Sequence, residues 1–225
     1  MFSYYIHNPN NFTFEESEYT AIPFGHRCSS ALACKYANIR KFSLVFDWCI
    51  PAFPKNIQKV LENDFIDFIP DVMNGEFVNK YNIRLAHFNN NKNMGIEEYK
   101  RRIERFKNCM NDSKIKKYFV YINEDYLYSK EYRCETFNKR VYTEMLELEK
   151  YLQNNYKFDY NILYFDFKEH DVPKGSKFVN IVLNSKQYYE TANQYEQLRN
   201  FCGRILTTMF QTKLTLGYKT SVFIG

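Results

Sequence analysis

Glycine and proline are scarce in this 225-residue chain, at seven and six residues, and tryptophan occurs once. So few glycines exclude the repeated Gly-rich loops that cradle a dinucleotide or a nucleoside triphosphate. No stretch approaches the 18 or so consecutive apolar residues of a membrane-spanning helix, so no membrane association is expected. The opening MFSYYIHNPN has no basic segment followed by an apolar run, and a secretory signal is not expected either. Six cysteines (Cys28, Cys34, Cys49, Cys109, Cys134, Cys202) are spread along the chain with no CxxC pair. That spacing argues against a zinc site, which draws its ligands as two close pairs, and against a disulfide framework. Free thiols point to a reducing, cytoplasmic compartment. Charge of one sign is also missing: 31 basic against 26 acidic residues leave +5 with the signs mixed. A nucleic-acid binder shows a clustered basic face, so no nucleic-acid partner is expected.

What the chain does have is 45% hydrophobic residues, with 20 Tyr and 21 Phe. Length and composition suit one globular unit with its own core. Residues 1–18 are polar and irregular and read as an N-terminal arm or edge element, with one α/β domain over 19–225. Within it, Tyr19 to Phe24 reads as a strand and Ser29 to Asn38 as a helix. Pro51 and Pro54 punctuate a turn before a helix near 56–67, and Tyr81 to Phe88 reads as a strand. Ile96, Tyr99, Ile103, Phe106 and Met110 fall at spacings of three and four and predict an amphipathic helix. Its other face carries Glu97–Arg101 and Glu98–Arg102 pairs, so Lys100-Arg101-Arg102 reads as a solvated face rather than a phosphate patch. Lys117 to Ile122 is a run of β-formers. A long helix carrying Phe137 to Leu152 follows, then strands at 161–167 and 178–183 and a long helix over 188–209. Strands alternating with helices of ten to twenty residues predict a three-layer fold, a mostly parallel sheet with helices on both faces.

In such sheets ligands bind beyond the carboxyl ends of the strands. That nominates four loops: Gly25-His26-Arg27-Cys28-Ser29-Ser30, His87-Phe88-Asn89-Asn90, Asn123-Glu124-Asp125 and Lys168-Glu169-His170. Cys28 falls where a strand meets a helix N-terminus, a setting that favours a thiolate. Cys28 is either that nucleophile or a small core residue at a tight turn. A phosphatase loop would carry Arg six residues after the Cys, and position 34 is Cys34. His87, ending the apolar run Ile83-Arg84-Leu85-Ala86-His87, is the candidate base on the same edge. Asp47 is charged within an apolar run beside the single Trp, and a buried carboxylate needs partners. It reads as an orienting residue or as a turn anchor. Gly25, His26, Arg27, Ser29 and Asp125 are the candidate substrate-binding positions.

These features resemble a family of bacterial and large-DNA-virus proteins labelled papain-like cysteine peptidases. Its opening pattern is Ser-Leu-Gly-x-x-Cys, then Arg, then Pro-Phe-Asp-Trp. The matching residues are Pro23-Phe24-Gly25-His26-Arg27-Cys28, Arg40 and Val45-Phe46-Asp47-Trp48, followed by Leu85-Ala86-His87 and Arg101-Arg102-Ile103-Glu104-Arg105-Phe106. Pro23, Val45 and Arg27 depart from the usual residues. The resemblance spans about residues 20–170. It implies Cys28 as nucleophile, His87 as base and Asp47 as a possible third member. For a viral protein the cytoplasm is the host's; the expected substrate is peptide or glycan-related, and no metal or cofactor is expected. The resemblance further carries an alternative fold, the papain-like α+β arrangement with the Cys on a helix and the His on an antiparallel sheet.

Three functions follow as expectations. The first is a cysteine-dependent hydrolase using Cys28 and His87, in which the thiol pKa is depressed. The second is a Rossmann-like transferase or carbohydrate-processing enzyme, holding a phosphorylated sugar through Arg27, Asp125 and the helix N-terminus at Ser29. The third is an interaction module whose aromatic excess forms a surface patch.

Overall fold

The computed structural model describes all residues except 1–2, 8–11, 15–17, 71–76, 87–93, 125–134, 184–193, 212–214, 217–219 and 224–225. In chain order the elements are β1 (Ser3–His7), β2 (Phe12–Thr13), β3 (Tyr19–Pro23), α1 (Ser29–Tyr36), β4 (Cys49–Ile50), α2 (Pro54–Glu62), β5 (Arg84–Leu85), α3 (Met94–Asn111), β6 (Lys116–Ile122), α4 (Glu135–Asn155), β7 (Tyr160–Asp166), β8 (Phe178–Leu183), α5 (Gln194–Gln211), β9 (Thr215–Leu216) and β10 (Thr220–Phe223). The main sheet runs β10-β1-β8-β7-β6-β3. Pairings β3·β6, β6·β7 and β7·β8 are parallel, while β1 lies antiparallel to both β8 and β10. The fold is therefore α/β and mostly parallel, as the helix–strand alternation predicts.

The two faces of the sheet build two cores, because successive strand residues point to opposite sides. One face presents Ile22, Phe119, Tyr121, Ile162, Tyr164 and Phe178 to α2, α3 and α4. The other presents Ala21, Tyr118, Val120, Ile122, Leu163, Phe165 and Ile181 to α1 and α5. Helices thus cover both faces, in three layers. Among the described residues most aromatic side chains go inward: Phe24, Phe46, Phe65 and Phe106 interlock ring against ring in the first core. Among the described residues the exposed large apolar side chains are Tyr36, Phe42, Ile66, Val78 and Ile96.

Two local expectations differ from what the chain does. Residues 3–7 are no arm: β1 sits inside the sheet, with Tyr4 and Ile6 buried in the second core. Of the run 81–88, residues 87 and 88 lie outside the described residues, and 81–86 yield only the two-residue β5, paired with β4 away from the main sheet. Its alternation of Tyr81, Ile83 and Leu85 looks like a strand, but Asn79 closes a turn there. The Asn79 side chain accepts from the amides of Tyr81 (3.0 Å) and Ile83 (3.1 Å), and Asn82 adopts φ 56°.

Candidate functional site

Cys28 stands beyond the carboxyl end of β3. The Phe24 amide still bonds Val120 across the sheet at 2.8 Å, and the chain then turns sharply at Gly25. A Cβ on Gly25 would lie 2.3 Å from the Arg27 carbonyl oxygen, so no side chain fits that turn. His26 is buried, its ring 4.5 Å from that of Phe53 and its carbonyl accepting from the Ala52 amide at 3.2 Å. Cys28 is the N-cap of α1 with φ −72° and ψ −10°, already helical, and makes no side-chain capping bond. Its carbonyl accepts the first helical bond, from Leu32 at 2.9 Å. The amides of the first turn have no partner within the helix.

Glu124, just past β6, lies fully buried at the head of α1. The Ser29 hydroxyl donates to Glu124 Oε2. Arg199 of α5 donates from Nε to Ser29 Oγ at 2.9 Å, and its Nη2 lies 3.9 Å from Glu124. Three elements far apart in sequence are thereby tied together around Cys28. Glu124 Oε1 is buried with no hydrogen-bond partner among the described residues. Burial pushes the Glu124 carboxyl up, against the Ser29 bond and the charges of Arg199, His26 and Arg27.

The same burial decides the state of Cys28. Desolvation raises the thiol pKa, and the opposing positive charge of Arg199, then of Arg27, does not offset it. The depressed pKa expected from the helix terminus is thus reversed. A helix dipole acts on an exposed thiol, but this one is half-buried beside a carboxylate. A resting thiol of this kind needs a base to activate it.

On the opposite face of the sheet a second polar cluster caps β6 and β7. Asn123 and Glu124 are successive residues and so point to opposite sides. Asn123 donates to Asn138 and to Asp166 Oδ1, both at 3.2 Å. Asp166 Oδ2 meets the His170 ring at 2.6 Å, and that ring stacks on Tyr142 at 4.2 Å. The His170 amide donates to the buried Asn180 side chain at 3.0 Å, folding the loop after β7 back onto the sheet.

Among the sequence-nominated residues, the structure brings Gly25, His26, Arg27, Cys28 and Ser29 together in one turn. Asp47 is fully buried in the turn before β4, paired with Arg40 and accepting from the Leu44 amide at 3.0 Å. Its Oδ1 has no hydrogen-bond partner among the described residues. Burial raises its pKa against the Arg40 charge. His87 and Asp125 lie outside the described residues, as does Cys134. Cys34, Cys49 and Cys202 are fully buried core thiols, their pKa values raised by burial. Cys109 is half-buried but lies by Thr20 and Lys117, at the amino ends of β3 and β6.

Sequence reasoning missed Glu124 and Arg199 as site residues. Glu124 belonged to a nominated loop, and Arg199 follows Leu198 at the rim of the apolar stripe of α5; neither carries a local motif. Among the described residues no group of three or more His, Cys, Asp or Glu could hold a metal ion, and no helix is long and apolar enough to cross a membrane. Compared with known proteins, the chain matches no family model, no curated protein and no solved structure.

Proposed function

We propose that the protein is a cysteine-dependent hydrolase in which Cys28 is the nucleophile, His87 the base and Asp47 the residue that orients His87. The observation that carries the reading is Cys28 at the head of α1, half-exposed beyond the carboxyl ends of the parallel strands. The other described thiols are buried in a core or sit at the opposite end of the sheet. Support for the partners comes from register. β4 and β5 pair Cys49 with Leu85 and Ile50 with Arg84, and the Ala86 amide donates to Trp48 O at 2.9 Å. Asp47, in the turn that leads into β4, carries a buried Oδ1 with no hydrogen-bond partner among the described residues, an acceptor open to an imidazole N–H.

In the reaction, the imidazole of His87 takes the proton of the Cys28 thiol as sulfur bonds the substrate carbonyl carbon. The carbonyl oxygen gains negative charge and is held by first-turn amides of α1. Collapse breaks the bond to the leaving group, which takes the proton from the imidazolium. Water, deprotonated by His87, then attacks the thioester, releasing the acid and restoring the thiol.

A phosphorylated ligand at the same helix terminus is less well served. The Ser29 hydroxyl and the Arg199 Nε, which would otherwise serve it, are committed to one another and to Glu124. Among the described residues most of the aromatic side chains lie in or against the two cores, which gives an aromatic docking patch no support there.

The test is iodoacetamide alkylation followed site by site across pH. Cys28 should react fastest at neutral pH in the native chain. In His87→Ala the neutral-pH rate should fall, since a thiol held protonated by burial then has no base to activate it. Uniform, slow labelling at all six cysteines would overturn the reading.

A further inference from the structure

A groove of about 480 Å³ runs between α1 and α5, lined by Leu32, Lys35 and Tyr36 on one side and Glu196, Arg199 and Asn200 on the other. Its lining starts at Leu32, one helical turn after Cys28, and Arg199, on its other side, donates to Ser29 next to the thiol. Positions 28, 32, 35 and 36 are separated by four, seven and eight residues and share one side of α1. Tyr36 forms the far wall. Its ring is 53% exposed yet backed by Gly203, where a Cβ would fall 2.6–2.8 Å from Tyr36 atoms. Lys35 and Arg199 supply two positive charges against the single carboxylate of Glu196. Lys35, Glu196 and Asn200 are all exposed, so the groove is open along its length. No ion pair engages Lys35 among the described residues, while Arg199 is anchored at Ser29 and keeps a quarter of its side chain exposed. At 1.5 Å per helical residue, Lys35 lies about 10 Å along the axis from Cys28. An extended peptide covers that in about three residues.

We propose that this groove binds an extended peptide segment of the substrate, holding an acidic side chain about three residues from the attacked carbonyl between Lys35 and Arg199. The proposal rests on Cys28 as nucleophile, but binding can be measured without the chemistry. In a full chain carrying Cys28→Ser, fluorescence anisotropy with acetylated, labelled hexapeptides that differ only in Asp or Asn reads the preference directly. The Asp peptide should bind about tenfold more tightly at low salt, a preference that shrinks as salt is added. Lys35→Glu should abolish the preference and Glu196→Gln enlarge it. Equal affinity for the two peptides, or a preference unmoved by Lys35→Glu, overturns the proposal. Acylation of Cys28 by p-nitrophenyl acetate, measured in the native chain and in Lys35→Glu, separates the two claims. Acylation unchanged in Lys35→Glu alongside a lost Asp preference supports both. An Asp preference with no acylation keeps the groove and removes the nucleophile, and acylation with no Asp preference does the reverse.

Discussion

Glu124 shows what burial does to a charged residue at the head of α1. Its partners, the Ser29 hydroxyl and the Arg199 guanidinium, favour the ionised form, yet desolvation outweighs them and the carboxyl pKa rises. The folded protein therefore keeps a proton that the unfolded chain gives up. That contribution to stability is complete below the unfolded carboxyl value of about 4.3 and is lost as pH rises through the higher folded value. Glu124→Gln keeps a hydrogen-bonding partner for Ser29 and removes the titration. Melting temperatures of the variant should fall less between pH 4 and 8 than those of the native chain. Parallel pH profiles for the two proteins would show that Glu124 is not the titrating group. Cys28 follows the same physics with a different consequence. Its raised pKa keeps the thiol protonated at rest, so reactivity depends on the base rather than on the helix terminus. The residues around Cys28 in sequence were legible because they are local: a glycine turn, a cysteine and a serine at a strand–helix junction. Glu124 and Arg199 were not, because what makes them site residues is a network closed across 95 and 170 positions of chain.

Among the elements, those with strong periodicity were the legible ones. α3 and α4 carry apolar stripes at helical spacing, and β6 and β7, rich in β-formers, prove buried throughout. β1 was not, since SYYIH is short and runs straight into the polar Asn8-Pro9-Asn10-Asn11. Its place is fixed by pairing with β8 and β10, from the far end of the chain. The 81–88 run misled because apolar alternation does not register an asparagine-closed turn. The packing of α1 on α5 depends on one missing side chain. With Gly203 replaced by Ala, the new methyl would press on the Tyr36 Cβ and ring at 2.6–2.8 Å. Overpacking of this kind costs about 1–3 kcal/mol. Gly203→Ala should therefore lower the urea midpoint, and Tyr36→Ala in the same chain should recover most of the loss. A Gly203→Ala variant as stable as the native chain would mean that the two helices are free to separate.

At the scale of the whole molecule, one sheet with a core on each face brings together two polar clusters at the carboxyl ends of its parallel strands. Strand–helix alternation predicts that architecture, and with it the edge on which Cys28 stands. What sequence could not predict is which face each loop serves. Asn123 and Glu124 are neighbours in the chain, yet one joins Asp166 and His170 beneath α4 and the other joins Ser29 and Arg199 beside the thiol. The central claim is that the thiol on the α1 side acts on carbonyl substrates. Peptide-mapping mass spectrometry after brief exposure to p-nitrophenyl acetate tests it most directly. The account predicts an acetyl group on Cys28 ahead of every other cysteine, absent in Cys28→Ser and formed about 10²–10⁴-fold more slowly in His87→Ala. Acetylation spread evenly over the accessible thiols, or unchanged at Cys28 in His87→Ala, would contradict it.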